Sequence, residues 1–245
     1  MKRAFDLFSA TFLGLLLLIP VLVPIAALIY LQDLHSPFYA GKRVGRRGRD
    51  FRMVKFRSMV MAADKTGVVS TAADDRRITR LGKFVRAYKL DELPQLWNIV
   101  KGEMSFVGPR PQVRSEVELY TECEEELLAM RPGITDLASI VFSDEGEILK
   151  GSEDPDLRYH QIIRPWKSRL ALFYVQNHSL LMDLRIIYLT AFAIISKRRA
   201  LRGVQEILRA HNADSLMVEI AGRQSGLEPY PPPGATQVVT QLQPR

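Results

Sequence analysis

The chain predicts a mainly α-helical protein with one small β-hairpin, an α+β arrangement in which a membrane segment precedes a compact soluble domain. Three observations lead there. Residues 12–31 are apolar and carry no charge. Residues 38–56 form two strand-like runs about a glycine-rich basic turn. Beyond residue 79, most apolar residues recur at the three- and four-residue spacing of helices.

About 20 apolar residues suffice to cross a bilayer as a helix. A cleavable signal peptide would have a shorter apolar region and a small-residue cleavage site, which this stretch lacks. Pro20 and Pro24 each remove a backbone donor mid-segment, marking the break of a hairpin. Lys2 and Arg3 precede the segment; Lys42, Arg43, Arg46, Arg47, Arg49, Arg52, Lys55 and Arg57 follow it. Basic flanks favour the cytoplasmic side. Basic residues on both flanks favour a re-entrant helix over residues 1–34 that dips in and returns, ahead of a single crossing.

The soluble domain is expected over residues 35–212. Strands 37–40 and 51–56 flank the turn Gly45-Arg46-Arg47-Gly48-Arg49-Asp50, whose cations can meet anionic headgroups at about 1 kcal/mol each. Residues 62–75 read as a polar loop, and a helix follows over 79–88, with Arg76, Arg80, Lys83 and Arg86 on its polar face. The next helix is expected to begin at Asp91 as N-cap, with Pro94 in its first turn and Leu93, Leu96, Trp97 and Val100 as its apolar stripe. An acidic helix is expected over 116–130, a loop over 144–155, and helical structure on both sides of Pro165 over 156–178. Residues 180–195 are apolar but short for a span and contain Asp183 and Arg185, which suits a buried or interfacial helix. Residues 198–210 form a basic amphipathic helix, and 213–245, rich in Pro, Gln and Gly, read as a disordered tail.

The formal charge of +7 asks for an anionic partner without choosing it. The single cysteine, Cys123, excludes an intrachain disulfide, and four scattered histidines give no zinc spacing. No helix-turn-helix, RNA-recognition or zinc motif is present and the basic run adjoins the membrane segment, so no nucleic-acid partner is expected.

The chemistry concentrates in two motifs. Leu90-Asp91-Glu92-Leu93-Pro94 sets two carboxylates side by side, and Gly108-Pro109-Arg110-Pro111 restricts an arginine between prolines. An acid pair at a helix start is by default a cap. A preset arginine nearby can bind phosphate in bidentate fashion, and a carboxylate beside a diphosphate and a divalent cation can attack phosphorus.

The string LDELPQLWNIVKGEMSFVGPRP resembles the signature of the bacterial sugar transferases, the monotopic phosphoglycosyl transferases, in a short form. The likeness extends from Lys2-Arg3-Ala4-Phe5-Asp6 through Lys55-Phe56-Arg57-Ser58-Met59 and Arg131-Pro132-Gly133-Ile134-Thr135 to Asn177-His178-Ser179-Leu180-Leu181-Met182-Asp183. It implies a catalytic domain on the cytoplasmic face of a bacterial inner membrane, held there by the re-entrant helix, interfacial helices and membrane lipids. The activity it implies is transfer of a sugar 1-phosphate from a UDP-sugar to polyprenyl (undecaprenyl) phosphate with release of UMP, the step that starts a surface glycan. By the same resemblance Asp91 is the nucleophile and Glu92 its partner. Mg²⁺ (or Mn²⁺) binds at Asp91 and Glu92, and Arg86, Arg110, Lys55 and Arg57 meet phosphate or substrate. An oligomer is compatible with this reading. Four positions depart from the pattern: Ile19 before Pro20 where serine is usual, Gly41 where glutamine is usual, Asp136 where glycine is usual, and Ser143 where arginine is common.

Overall fold

The computed structural model describes residues 2–63, 71–72 and 74–242. Part of the loop expected over 62–75 lies outside them.

Helical backbone runs from Lys2 to Asp33, long and apolar enough to cross a membrane by length and composition. It comprises α1 (Lys2–Leu17), a π turn (Leu18–Leu22) and α2 (Val23–Asp33). The π turn falls on Pro20. Proline offers no N–H, and the widened turn keeps the helix going past the missing bond. Most of the segment's apolar surface has no protein partner; Phe8, Leu15, Ile19 and Leu31 are exposed, Ile19 to 77%.

Both ends of the segment are fastened to the same domain. At the start, Lys2 Nζ meets Asp183 at 2.5 Å and the Val107 carbonyl at 3.0 Å. Arg3 donates to the Ile99 and Val100 carbonyls, and buried Asp6 accepts from the Ser105 hydroxyl at 2.8 Å. At the far end Asp33 takes both terminal nitrogens of Arg57 at 2.5 Å. Ile25 and Ile29 pack there on Phe56 and Val85.

The hairpin forms as expected, from β1 (Phe38–Val44) and β2 (Asp50–Phe56), antiparallel with Gly41 opposite Met53. Its basic turn leans on the domain, where Arg46 donates to the Ala129 carbonyl at 2.9 Å. Then come α3 (Arg80–Ala87), a 3₁₀ segment (Leu90–Gln95) and α4 (Leu96–Lys101). Thr79 caps α3 through the Gly82 amide. Asp91 does not cap a helix. Lys89, in the left-handed region at φ 57°, is the cap position, and Asp91 lies inside the 3₁₀ turn. Three residues per turn shift the phase of the buried face. That face is Pro94, Gln95, Leu96, Asn98 and Ile99, and Trp97, expected inside, is 60% exposed.

Two strands escape the sequence patterns, β3 (Ser105–Val107) and β4 (Gly133–Thr135), paired in parallel. Each is three residues long, too short for alternation to register. The crossing admits no side chain at Gly133, whose Cβ would lie 2.1 Å from the Gly108 nitrogen. The expected acidic helix over 116–130 is instead α5 (Arg114–Val117), α6 (Glu122–Glu125) and a 3₁₀ turn (Glu126–Ala129). A capping box of Thr121 and Glu124 restarts the helix where Thr121 interrupts it.

The main core gathers α7 (Leu137–Val141), α10 (Arg164–Asn177), α11 (Leu180–Ile195), α12 (Lys197–Ala210) and α13 (Ser215–Gly222). Between α7 and α10 lie α8 (Glu145–Leu149), inside the expected loop, and α9 (Pro155–Arg158). The stripe expected on α12 is buried: Leu201, Val204, Ile207 and Leu208. On α11, Met182, Asp183, Ile186 and Leu189 face the core, while Leu181, Tyr188 and Ile195 are exposed.

The segment expected as a disordered tail is ordered over its described part. It contains α13, and a strap then crosses α10. Tyr230 sits 4.6 Å from the Trp166 ring and 4.7 Å from the Arg169 guanidinium. Its amide donates to the Gln161 carbonyl, and the Pro233 carbonyl accepts from Thr121 at 2.6 Å. Its proline and glutamine content suggested disorder; the Tyr230 anchor and hydrogen bonds to Gln161, Arg169 and Thr121 override it.

Candidate active site

A cleft of about 1580 Å³ is lined by residues of the N-terminal helix and of the domain. Leu13 and Leu17 of the membrane segment line one border, with Ile187, Ala191 and Ile194 of α11. Asp91, Glu92, Arg86, Lys55, Arg110 and Arg57 line the same cleft, so all six sequence-predicted site residues share it.

Glu92 is the hub. Arg110 grips it with both terminal nitrogens, Nη1 to Oε2 at 3.2 Å and Nη2 to Oε1. Lys55, near the end of β2, reaches Oε1 at 3.2 Å. Arg110 is itself aimed by the Ile134 carbonyl, which accepts from Nη1 at 3.0 Å. The flanking prolines set the backbone and β4 supplies the acceptor. Burial pushes the Glu92 carboxyl up, but the charges of Arg110 and Lys55 outweigh it and hold the group well below the usual range.

Asp91 is in the opposite state. It is 8% exposed, and its Oδ1 is buried without a hydrogen-bond partner. Burial pushes its carboxyl up, and Glu92 adds to this; Lys55, Arg86 and Arg110 pull the other way without winning. Of two adjacent carboxylates, one is neutralised by cations and one is left unbonded facing the cleft. Two environments thereby give two roles. Arg86 lies in the last turn of α3, and its side chain makes no hydrogen bond or ion pair among the described residues, so its donors are open to a ligand.

Arg57 is differently employed. Besides Asp33, it donates through Nε to the Ser36 carbonyl at 2.8 Å. It joins the end of the membrane segment to β2, at the edge of the cleft.

Two of the four departures from the family pattern, Asp136 and Ser143, line the cleft, whereas Ile19 lies in the π turn and Gly41 in β1. Asp136 is buried and caps α7 through the Ser139 amide at 2.6 Å. Ser143 lines the cleft in a stretch that carries Asp144, Glu145 and Glu147 and no cation of its own. Facing that stretch is Lys167 of α10, paired with Glu145 and lying 5.3 Å from the Tyr159 ring. Sequence reading missed Lys167. It belongs to no motif, and only the fold of α10 carries it to this wall.

Among the described residues no group of three or more His, Cys, Asp or Glu side chains is arranged to hold a metal. The unbonded Asp91 oxygen does fit one ligand position for a hard cation, whose other ligands would be substrate oxygens and water. Glu92, already held by Arg110 and Lys55, has less to offer.

Residues 1–197 match the model of a family described as bacterial sugar transferase. An exopolysaccharide production protein of Sinorhizobium fredii is 36% identical over 214 residues, covering 80% of this chain and 86% of that protein. An undecaprenyl-phosphate glucose phosphotransferase of Komagataeibacter xylinus is 38% identical over 206 residues, 81% of this chain and 36% of that protein. A UDP-galactose-lipid carrier transferase of Erwinia amylovora is 36% identical over 212 residues, 80% and 41% respectively. The chain therefore spans less than half the length of the last two relatives and most of the first.

Proposed function

This chain belongs to the bacterial sugar transferase family, and from that premise we propose that it moves a sugar 1-phosphate from a UDP-sugar to a polyprenyl phosphate, releasing UMP and starting a surface glycan. The observation that carries this reading is one cleft lined both by Leu13 and Leu17 of the N-terminal helix and by Asp91 and Glu92. A lipid phosphate has its head in the interface and its chain in hydrocarbon. A cleft with both apolar and charged lining suits both ends.

The chemistry is two displacements at one phosphorus. An Asp91 oxygen attacks the phosphorus bearing the sugar, and the bond to the bridging oxygen breaks, so UMP leaves with that bonding pair. An oxygen of the polyprenyl phosphate then attacks the same phosphorus and the Asp91 carboxylate is released. Arg86 and Arg110 offset the charge that develops on the phosphoryl oxygens. Lys55 and Arg110 keep Glu92 ionised and in place. Asp91 is the residue that would hold Mg²⁺ together with diphosphate oxygens, and the bound ion supplies charge neutralisation for the donor.

The reading is tested by a UMP-release assay across a panel of UDP-sugars with polyprenyl phosphate, with and without Mg²⁺. Metal-dependent UMP release with at least one sugar is expected. No release with any of them would overturn it.

We also propose that residues 2–33 are re-entrant in the bilayer and the domain lies on the cytoplasmic face of the inner membrane. Support comes from the fastening of Lys2, Arg3 and Asp6 at one end and Asp33 at the other to one domain. A spanning helix would set about 30 Å of hydrocarbon between its ends. With Cys123 replaced by serine, single cysteines at positions 2 and 42 should label with a membrane-impermeant reagent from the same face. Labelling from opposite faces would refute the hairpin.

A further inference from the structure

The acidic stretch from Asp144 to Glu147 is an odd wall for a cleft that receives anions. Its carboxylates are masked from behind: Asp144 by Lys197 at 2.6 Å and Arg223 at 3.6 Å, both outside the cleft lining, and Glu147 by Lys150 at 3.8 Å. Glu145 is the exception. Its partner, Lys167, comes from the cleft side.

Lys167 is held as a ligand group needs to be. It projects from α10, whose neighbouring residues Trp166 and Ser168 are buried. Its side chain is 21% exposed and lines the cleft. An ammonium has three donors. Glu145 takes one, the Tyr159 ring covers a face at 5.3 Å, and among the described residues no second acceptor hydrogen-bonds to it. Tyr159 fixes the amine without consuming a donor.

Its position along the cleft is informative. Lys55 and Arg110 gather on Glu92, beside the nucleophile. Lys167 lines the same cleft but pairs with Glu145 of the acidic stretch, outside that cluster. If the phosphorus under attack lies at Asp91, the next phosphate of the donor lies one step beyond it.

We propose that Lys167, oriented by Glu145 and Tyr159, is the donor-binding cation that takes the nucleotide phosphate of the UDP-sugar and keeps it as UMP departs. This rests on the reading of the chain as a UDP-sugar transferase. The bonding pair of the broken P–O bond ends on the UMP phosphate, so a cation there both binds the donor and offsets charge developed at departure.

The test is UMP binding by the full-length protein in detergent, measured by calorimetry, beside the KM for the UDP-sugar and for polyprenyl phosphate. Lys167→Met should weaken UMP on the order of tenfold, the loss of one charge-assisted hydrogen bond, and raise the donor KM with the acceptor KM unchanged. Lys167→Arg should recover most of it. The double variant Lys167→Met/Glu145→Gln, which leaves no unpaired carboxylate, should stay as weak as Lys167→Met. Glu145→Gln alone should bind UMP at least as well as wild type. Recovery of UMP binding in the double variant would overturn the proposal, because the pair would then serve only to hold the loop. Loss of sugar 1-phosphate binding with UMP binding intact would overturn it too, by putting Lys167 at the other phosphate. Wild-type protein that neither binds UMP nor releases it would instead sink the transferase reading itself.

Discussion

Asp91→Asn protein is expected to lose activity by on the order of 10³-fold or more while remaining folded, and at neutral pH to be at least as heat-stable as wild type. The rate loss follows from the proposed role, since an amide cannot serve as the attacking oxygen and no second carboxylate is free to substitute. Glu92 is adjacent but bound to Arg110 and Lys55. The stability result follows from the environment. Burial raises the Asp91 carboxyl above its ordinary range. Between the unfolded and the raised folded values the native state holds the extra proton, so stability falls as pH rises through that window. Above it the native protein carries a buried charge whose Oδ1 is unbonded, and asparagine relieves this cost. Melting curves of both proteins from pH 4 to 8 should therefore converge toward acid and separate toward neutrality. An Asp91→Asn protein with full turnover, or one markedly less stable than wild type at pH 7, would contradict this account. The same raised carboxyl puts the acid limb of kcat/KM above the usual aspartate range, because only ionised Asp91 attacks.

How much of this was legible in the sequence depended on range. The hairpin announces itself through its glycine-rich turn, α11 through its apolar run, and α3 and α12 through periodicity; the α12 stripe is buried residue for residue as its spacing indicates. The residues of the Asp91–Glu92 and Gly-Pro-Arg-Pro motifs could be named because local chemistry marks them. Their division of labour could not. Two adjacent carboxylates look alike in a string, and only the fold brings Arg110 and Lys55 to one of them. The error over Asp91 has the same source. Asp before a proline-containing helix is a good cap by composition, yet the left-handed Lys89 moved the cap position and the 3₁₀ turn displaced Trp97 to the outside. Arg57 was grouped with the phosphate candidates by its neighbours in sequence; Asp33, at the end of α2, takes it instead. Lys167 lay beyond sequence reasoning altogether, as its meaning depends on a cleft wall built from distant parts of the chain.

Glu92→Gln tests the other half of the pair, and its expected signature is the reverse of Asp91→Asn. Glu92 is what two cations share, so its neutral replacement leaves Arg110 and Lys55 without their carboxylate. Breaking a buried pair on one side is costly, and with Arg110 partly exposed the loss should be about 1–3 kcal/mol, read by denaturant unfolding. The sign with pH is also opposite. Despite burial, Arg110 and Lys55 hold the folded Glu92 carboxyl well down, so it contributes stability above the ordinary glutamate range and loses it as pH falls through the depressed folded value. Wild type and Glu92→Gln should thus differ most at neutral pH and draw together in strong acid. Activity should fall on the order of 10²-fold as Arg110 loses its fixed aim, and what remains should change its pH profile. Glu92 helps raise the Asp91 carboxyl, while Arg110 and Lys55 pull it down. Removing the Glu92 charge frees both cations to act on Asp91, so the acid limb of the residual activity should move to lower pH. An unmoved or upward-moved limb would mean that the two carboxylates are not electrostatically joined, and that Glu92 serves Arg110 alone.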